Sequence, residues 1–439
     1  MNHISTVPKV LAPAGDMERL MGAVAYGADE VYLGGQMFGM RAGPRNFPPE
    51  EPKTAVDFCH QQGVRVYLTC NTVPLNREIP QLESFLYQAR DAGVDALIVA
   101  DMGIFQLARK LIPEMELHVS TQAGVTNYLT ANTFYQMGAS RVVLARELSL
   151  EEIREIRQKT PKELEIEVFV HGAMCMSFSG RCLLSQYMVG RDANRGECAQ
   201  PCRWGYHLME EKRPGEYYPV YEDSRGSYIL NAKDLCMIEY IDQLAQAGVT
   251  SLKIEGRAKS AYYVSVVTNA YRNAVDAYRE NPDNFVLPDW IAQEVRKVSH
   301  RAYSTGFYFG RPEQGQYYEN AGYVRTCDIV AVVEGYQDGR LLCTMRNCFC
   351  EGEQIEVLPF RGAPQVLQAK SLPSHDGALF SLFTGLSKGN HPAPTYNGNS
   401  IRLTAKRGTA RSSLFLQYGV YKTALSPDGE ICIDSSCKG

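Results

Sequence analysis

Five of the chain's thirteen cysteines fall in one stretch, as Cys175-x6-Cys182-x15-Cys198-x3-Cys202 with Cys236 further on. Thiolates are soft ligands, and four of them converging from a long loop can hold an iron–sulfur cluster or a structural zinc ion. Zinc sites more often carry paired C-x2-C knuckles, which this stretch lacks, so the open spacing suits a cubane cluster better. The plainer alternative is a set of buried apolar thiols. Arg181, Arg191, Arg195 and Arg203 stand among these cysteines, against Asp192 and Glu197. A cationic setting lowers thiolate pKa values and attracts anions, although ordinary surface ion pairs would read the same way.

A second group lies in short apolar runs. Lys253 and Glu255 are two apart and share one face of an extended segment, while Leu252 and Ile254 take the other. Arg146 and Glu147 end an earlier run, His171 nearly ends another, and Arg257 follows the last. Charges at strand ends suit ligand binding at the rim of a parallel barrel. A buried Lys–Glu pair of purely structural use is the alternative for Lys253 and Glu255, and a lone histidine such as His171 is often a satisfied core residue. The chain has no G-x-S-x-G elbow, no H-E-x-x-H and no P-loop, which argues against the common hydrolase and nucleotide-binding designs.

These residues need elements to hold them. Eight candidate strands precede residue 257: 10–15, 30–35, 65–71, 96–101, 116–121, 141–147, 165–172 and 251–256. Amphipathic stretches between them end on Gly27, Gly63, Gly93, Gly138 and Gly248, the residue type that best closes a helix. Ser149-Leu-Glu-Glu152 has the form of a capping box. Strand–helix alternation repeated eight times predicts a closed (β/α)8 TIM-like barrel. An open doubly wound sheet fits less well, because no Gly-rich dinucleotide fingerprint follows the first strand.

The connection from Gly172 to Ser251 is far longer than a normal crossover. Lys233 to Gly248 reads as its helix, with Cys236 in the first turn, and about 173–232 as a Cys-rich insertion at the C-terminal rim. Helices over about 259–281 and 287–298 should follow. From about 321 to 405 short β-rich runs with Gly and Asp turns predict a small, barrel-like all-β domain after a barrel domain of 1–320. Residues 406–439 read as a basic mobile tail; Arg402, Lys406, Arg407, Arg411 and Lys422 occur with no acid between Ile401 and Lys422.

Composition narrows the class. Of 439 residues, 45% are hydrophobic and 21% charged, so disorder is not the dominant state. No apolar run approaches a membrane span, and the first ten residues lack a signal-like core, so a cytoplasmic protein with reduced thiols and no membrane partner is expected. Cys59 and Cys70, in an early helix and strand, read as packing residues. The net charge of −4 argues against nucleic-acid binding by bulk charge, though not by a local patch.

Several blocks together resemble a known family. They are Leu11-Ala-Pro-Ala-Gly-Asp16, Leu144-Ala-Arg-Glu-Leu-Ser149, Val168-Phe-Val-His-Gly-Ala-Met-Cys-Met-Ser-Phe-Ser-Gly-Arg-Cys-Leu-Leu-Ser185, Asn194-Arg-Gly-Glu-Cys-Ala-Gln-Pro-Cys-Arg-Trp204, Tyr228-Ile-Leu-Asn-Ala-Lys-Asp-Leu-Cys236, Leu252-Lys-Ile-Glu-Gly-Arg257 and His300-Arg-Ala-Tyr-Ser-Thr-Gly-Phe-Tyr-Phe-Gly310. In that order they resemble the collagenase-like peptidases, unassigned-peptidase family thirty-two, over roughly residues 8 to 400. Length and the C-terminal β-domain look most like the branch that hydroxylates tRNA.

The resemblance implies a four-iron, four-sulfur cluster on Cys175, Cys182, Cys198 and Cys236, with Cys202 as a neighbour that can exchange with Cys198. It implies an enzyme that forms 5-hydroxyuridine at the wobble position of the tRNA anticodon loop, with prephenate as a co-substrate and protein partners in cluster assembly. A peptidase and a hydroxylation factor for a small aromatic or quinone precursor are the competing readings. The expected catalytic residues are His171, Lys253 and Glu255. Substrate is expected at Arg146, Glu147, Arg181, Asn231, Lys233, Asp234, Arg257 and Tyr262. Arg146, Lys253 and Arg257 suit a dicarboxylate. An unpaired uracil could stack on Tyr228, Tyr262 or Trp204. The acidic net charge predicts a modest, salt-sensitive affinity for tRNA.

Overall fold

The computed structural model describes residues 7–40, 46–48, 51–175, 177–178, 182–203, 221–223, 226–228, 233–310, 323–337, 340–347, 354–360, 362–368 and 401–406. Strands β1 (Lys9–Ala14), β2 (Glu30–Gly34), β3 (Arg65–Cys70), β4 (Ala96–Val99), β5 (Glu116–Val119), β6 (Arg141–Val143) and β7 (Glu165–Ala173) lie side by side, parallel and in chain order. Helices α1 (Met17–Ala25), α2 (Glu51–Gln61), α3 (Ile79–Ala92), α4 (Met102–Leu111), α5 (Tyr128–Gln136) and α6 (Leu150–Gln158) connect them. The chain then forms α7 (Leu184–Val189), the hairpin β8 (Tyr221–Asp223) and β9 (Gly226–Tyr228), β10 (Asp234–Cys236) and α8 (Ile241–Gln246). Next comes β11 (Ser251–Ile254), which pairs in parallel with both β7 and β1 and closes an eight-stranded barrel. The fold is the expected (β/α)8 barrel, with the insertion between its seventh and eighth strands.

Local chemistry explains the boundaries. Ser149 Oγ accepts from the Glu152 N–H and Glu152 Oε2 accepts from the Ser149 N–H at 2.7 Å, so the capping box is complete. Gly93 closes α3 at φ 78°, in the left-handed region that side-chain-bearing residues avoid. The final barrel helix, α9 (Ala261–Glu280), starts at Ser260, whose Oγ accepts from the Tyr263 N–H. It is followed by α10 (Asp289–Glu294) and β12 (Tyr303–Ser304), the first shorter than expected.

One expectation is corrected. Lys233 to Gly248 is not a single helix. Lys233 is in an irregular segment, and Asp234–Cys236 form β10, antiparallel to β7 with Cys236 opposite His171. The cause lies in β7, which is long enough to run past the barrel wall to Ala173. Its overhanging backbone groups need partners, and β10 supplies them. The helix itself begins only at Ile241.

The chain divides into two compact units: Met1–Ala292 with His300–Val324, and Gln293–Ser299 with Arg325–Gly439. The second contains β13 (Cys327–Gln337), β14 (Arg340–Met345), β15 (Gln354–Leu358), β16 (Gln365–Gln368) and β17 (Ile401–Lys406). They form one antiparallel sheet in the order β14-β13-β17-β15-β16, a small all-β domain. The expected tail beyond Lys406, and Cys348, Cys350, Cys432 and Cys437, lie outside the described residues. Among the described residues no helix is long and apolar enough to cross a membrane.

Candidate active site

Side chains alternate in and out along each barrel strand. On β2 the inward positions are Glu30, Tyr32 and Gly34, and register sets Tyr32 beside Tyr67 and Gly34 beside Thr69 of β3. Leu11, Tyr32, Tyr67, Ala96 and Ile98 form a buried cluster. Elsewhere the interior carries charge. Arg141 of β6 is fully buried and donates to both oxygens of Glu30 at 2.8 Å and to Glu167 of β7 at 3.0 Å. Tyr67 and Ser251 also donate to Glu30, at 2.7 and 3.0 Å. Burial pushes the Glu30 carboxyl up, but the Arg141 charge and hydrogen bonds outweigh it and hold it well below the usual carboxylate range.

Above this layer a solvent-open cleft, whose empty space counted together with its mouth is about 540 Å³, lies at the C-terminal ends of the strands. Its wall takes Tyr32 from β2, Thr69 from β3, Phe169 from β7 and Lys253 from β11. The loops beyond the strands add Met40, Asn71, Ser120, Thr121, Gln122, Arg146, Glu255 and Arg257. Barrel enzymes place their chemistry at this end.

Of the expected site residues, Arg146, Lys253, Glu255 and Arg257 meet here. Lys253 Nζ donates to Glu167 at 2.6 Å and lies 4.7 Å from the Tyr32 ring centre. Its ion-pair partner is thus Glu167 beneath it. Arg146 stacks its guanidinium 3.7 Å over Phe169, donates to the Ala173 carbonyl, and has Glu255 at 3.7 Å. Arg257 is 2% exposed and donates to Thr69 Oγ1 at 3.0 Å. Its guanidinium occupies the space over Gly34, where any Cβ would collide with it.

The other described ones are not among the lining residues. His171, expected to be catalytic, is turned away by a bulge. Register runs Lys253↔Phe169 and then Ile254↔His171, so Val170 is left over and the alternation reverses. His171 therefore packs among Tyr263, Tyr271 and Tyr303, with Tyr303 Oη 3.3 Å from Nε2. Burial lowers its pKa to about 3. Asp234 is buried in an ion pair with Arg301 at 2.9 Å. Tyr262 is buried in α9, Glu147 lies in the turn after β6, and Lys233 is half-buried before β10. Arg181, Asn231 and Trp204 fall outside the described residues, as does the side chain of Tyr228.

Sequence reading misses Glu30, Arg141 and Glu167, although each occupies an inward position at the start of a strand. Phe38, at a φ of 60°, accepts at its carbonyl from the Asn71 and Thr72 N–H groups.

Cys175 is exposed, while Cys182, Cys198, Cys202 and Cys236 are half-buried, and all five are unbridged. Cys182 Sγ accepts from the Leu184 N–H at 3.3 Å and Cys198 Sγ from the Gln200 N–H at 3.4 Å. Among the described residues, no three His, Cys, Asp or Glu side chains come close enough together to hold a metal ion. By contrast, Cys59 and Cys70 are fully buried, and burial raises the Cys59 thiol to about 12.

The model of peptidase family U32 matches residues 15–317. The chain belongs to peptidase family U32. A U32 relative, the tRNA hydroxylation protein P1 of Bacillus subtilis, is 40% identical over 357 residues, covering 80% of this chain and 84% of the relative. The tRNA hydroxylation protein P of Escherichia coli is 36% identical, covering 81% of this chain and 87% of its own length. A collagenase of Porphyromonas gingivalis is 36% identical, covering 69% and 74%.

Proposed function

We propose that this U32 protein hydroxylates tRNA. The observation that carries the reading is the 40% and 36% identity, over about four-fifths of the chain, to two proteins named for tRNA hydroxylation. We further propose that the product is 5-hydroxyuridine at the wobble position of the anticodon loop. An unpaired loop presents a base that can leave the stack and enter a barrel mouth.

The cavity chemistry supports a small organic anion as co-substrate, a dicarboxylate such as prephenate in this proposal. Arg146 and Arg257 offer planar guanidinium groups and Lys253 a point charge. Ser120, Thr121, Gln122 and Asn71 give neutral polar groups to orient a base or ring oxygen. Glu255, beside Arg146, is the carboxylate placed to accept a proton. An iron–sulfur cluster on Cys175, Cys182, Cys198 and Cys236 is also proposed. No step is assigned to it. The polar wall fits a peptidase less well, because the twelve lining residues include Ser120 and Thr121 but no histidine to activate them.

Nucleoside analysis of tRNA from a strain lacking the gene tests the function. In a host with no oxygen-dependent route to the same base, 5-hydroxyuridine derivatives should disappear and return with the wild-type gene. Their persistence would defeat the assignment.

A further inference from the structure

The charged layer under the cavity is more than filling. Arg141 clamps Glu30 and touches one oxygen of Glu167, while the other oxygen of Glu167 takes Lys253 Nζ at 2.6 Å. Arg141 also holds Glu165, and Lys9 pairs with both Glu30 and Glu165, so three cations and three carboxylates alternate and their formal charges cancel. Lys253 is the member of this ladder that faces the cavity. Its charge is therefore compensated from beneath before any ligand arrives. Adding Glu167 to the charged groups of the wall sets Arg146, Lys253 and Arg257 against Glu255 and Glu167, which leaves one net positive charge.

We propose that Glu167 is a specificity-determining residue that never touches the ligand: by compensating Lys253 from below, it fixes the charge the cavity offers to an anion. Burial pushes the Glu167 carboxyl up, but the charges of Lys253 and Arg141 outweigh it and keep it ionised. Arg141 and Glu30 are the backing that makes a buried carboxylate tolerable at this depth. The cavity is thereby matched to one negative charge, and the neutral donors of its wall deal with a second.

This inference rests on the cavity being the site of a small carboxylate, and its test needs no tRNA. Malonate, a dianion, and monomethyl malonate, a monoanion of similar size, are titrated calorimetrically into the full-length protein at low salt. In Glu167→Gln the ratio of malonate to monomethyl malonate affinity should rise by about tenfold, the scale of one uncompensated charge at a few ångströms in protein. In Glu167→Gln with Lys253→Met both charges go together, and the ratio should stay within about twofold of wild type. An unchanged ratio in the single variant, or a tenfold fall in the double variant, would overturn the proposal. Should the single variant not fold, the double variant decides alone, since it leaves no buried charge unpaired. Failure of wild type to bind either probe would instead sink the carboxylate reading of the cavity, and this inference with it.

Discussion

Arg257 reaches the cavity wall only because position 34 carries no side chain. Register places Gly34 beside Thr69, the hydrogen-bond partner of the guanidinium. A methyl group at position 34 would strike the guanidinium itself. Gly34→Ala should therefore cut hydroxylated nucleoside in a complemented deletion strain about tenfold or more, at a stability cost of roughly 1–3 kcal/mol from overpacking. Quantifying the nucleoside alongside the denaturation midpoint checks this. Full modification by Gly34→Ala would show that Arg257 does not need its present position. The pairing of Lys253 shows why residue type alone misleads. Two charges on one face of a strand suggest a mutual pair, yet Lys253 pairs across the barrel wall with Glu167, and Glu255 stands near Arg146.

At the scale of elements, β7 decides most. Its bulge at Val170 gives Phe169 to the cavity and His171 to the tyrosines outside. The acid-side consequence follows from the histidine's lowered pKa. The unfolded chain takes up this proton near pH 6.5, whereas the folded protein resists it until about 3. More protons bind to the unfolded state in that window, so stability is full above pH 6.5 and is lost as pH falls towards 3, by up to roughly 4 kcal/mol. His171→Gln should flatten this part of the curve in urea unfolding at pH 7 and pH 5, while hydroxylation in cells continues. Loss of hydroxylation by a stable His171→Gln protein would restore a catalytic role.

The insertion has its own anchor. Arg195 grips Glu78, beyond β3, with Nη1 2.6 Å from Oε2, and its hydrogen bonds lower the Glu78 carboxyl to about 2. The pair is partly exposed, so Arg195→Ala should change global stability by less than about 1 kcal/mol. It should still speed proteolytic cutting within 182–203, read by mass spectrometry; an unaltered cutting pattern would remove the anchoring role.

On the scale of the whole molecule, the cavity belongs to the barrel and the cysteine cluster to its insertion. The barrel builds the cavity from β2, β3, β5, β6, β7 and β11 or the loops that follow them, and the insertion brings cysteines to the same chain segment. If those cysteines hold a cluster, protein purified without oxygen should be brown, with about four iron and four sulfide per chain. Cys175→Ser or Cys236→Ser should bleach it, whereas Cys59→Ser should not, since Cys59 is buried in α2. A colourless wild-type protein after reconstitution with iron and sulfide would remove the cluster from the proposal. The net charge of −4 places any tRNA contact on local surface rather than on the molecule at large.

By itself the sequence determined the barrel, its strand count, the place of the insertion and four of the cavity residues. Those follow from local rules: alternation of faces, glycines past helix ends, a capping box, and charges at the ends of apolar runs. Tertiary structure alone decided the partners. Glu30, Arg141 and Glu167 lie at strand starts in three separate parts of the chain, and only closure of the barrel brings them together. The bulge that removes His171 is one extra residue in a register, invisible without the neighbouring strand. β10 likewise forms because an overhanging strand needs hydrogen-bond partners, a demand that no local pattern in 233–248 records.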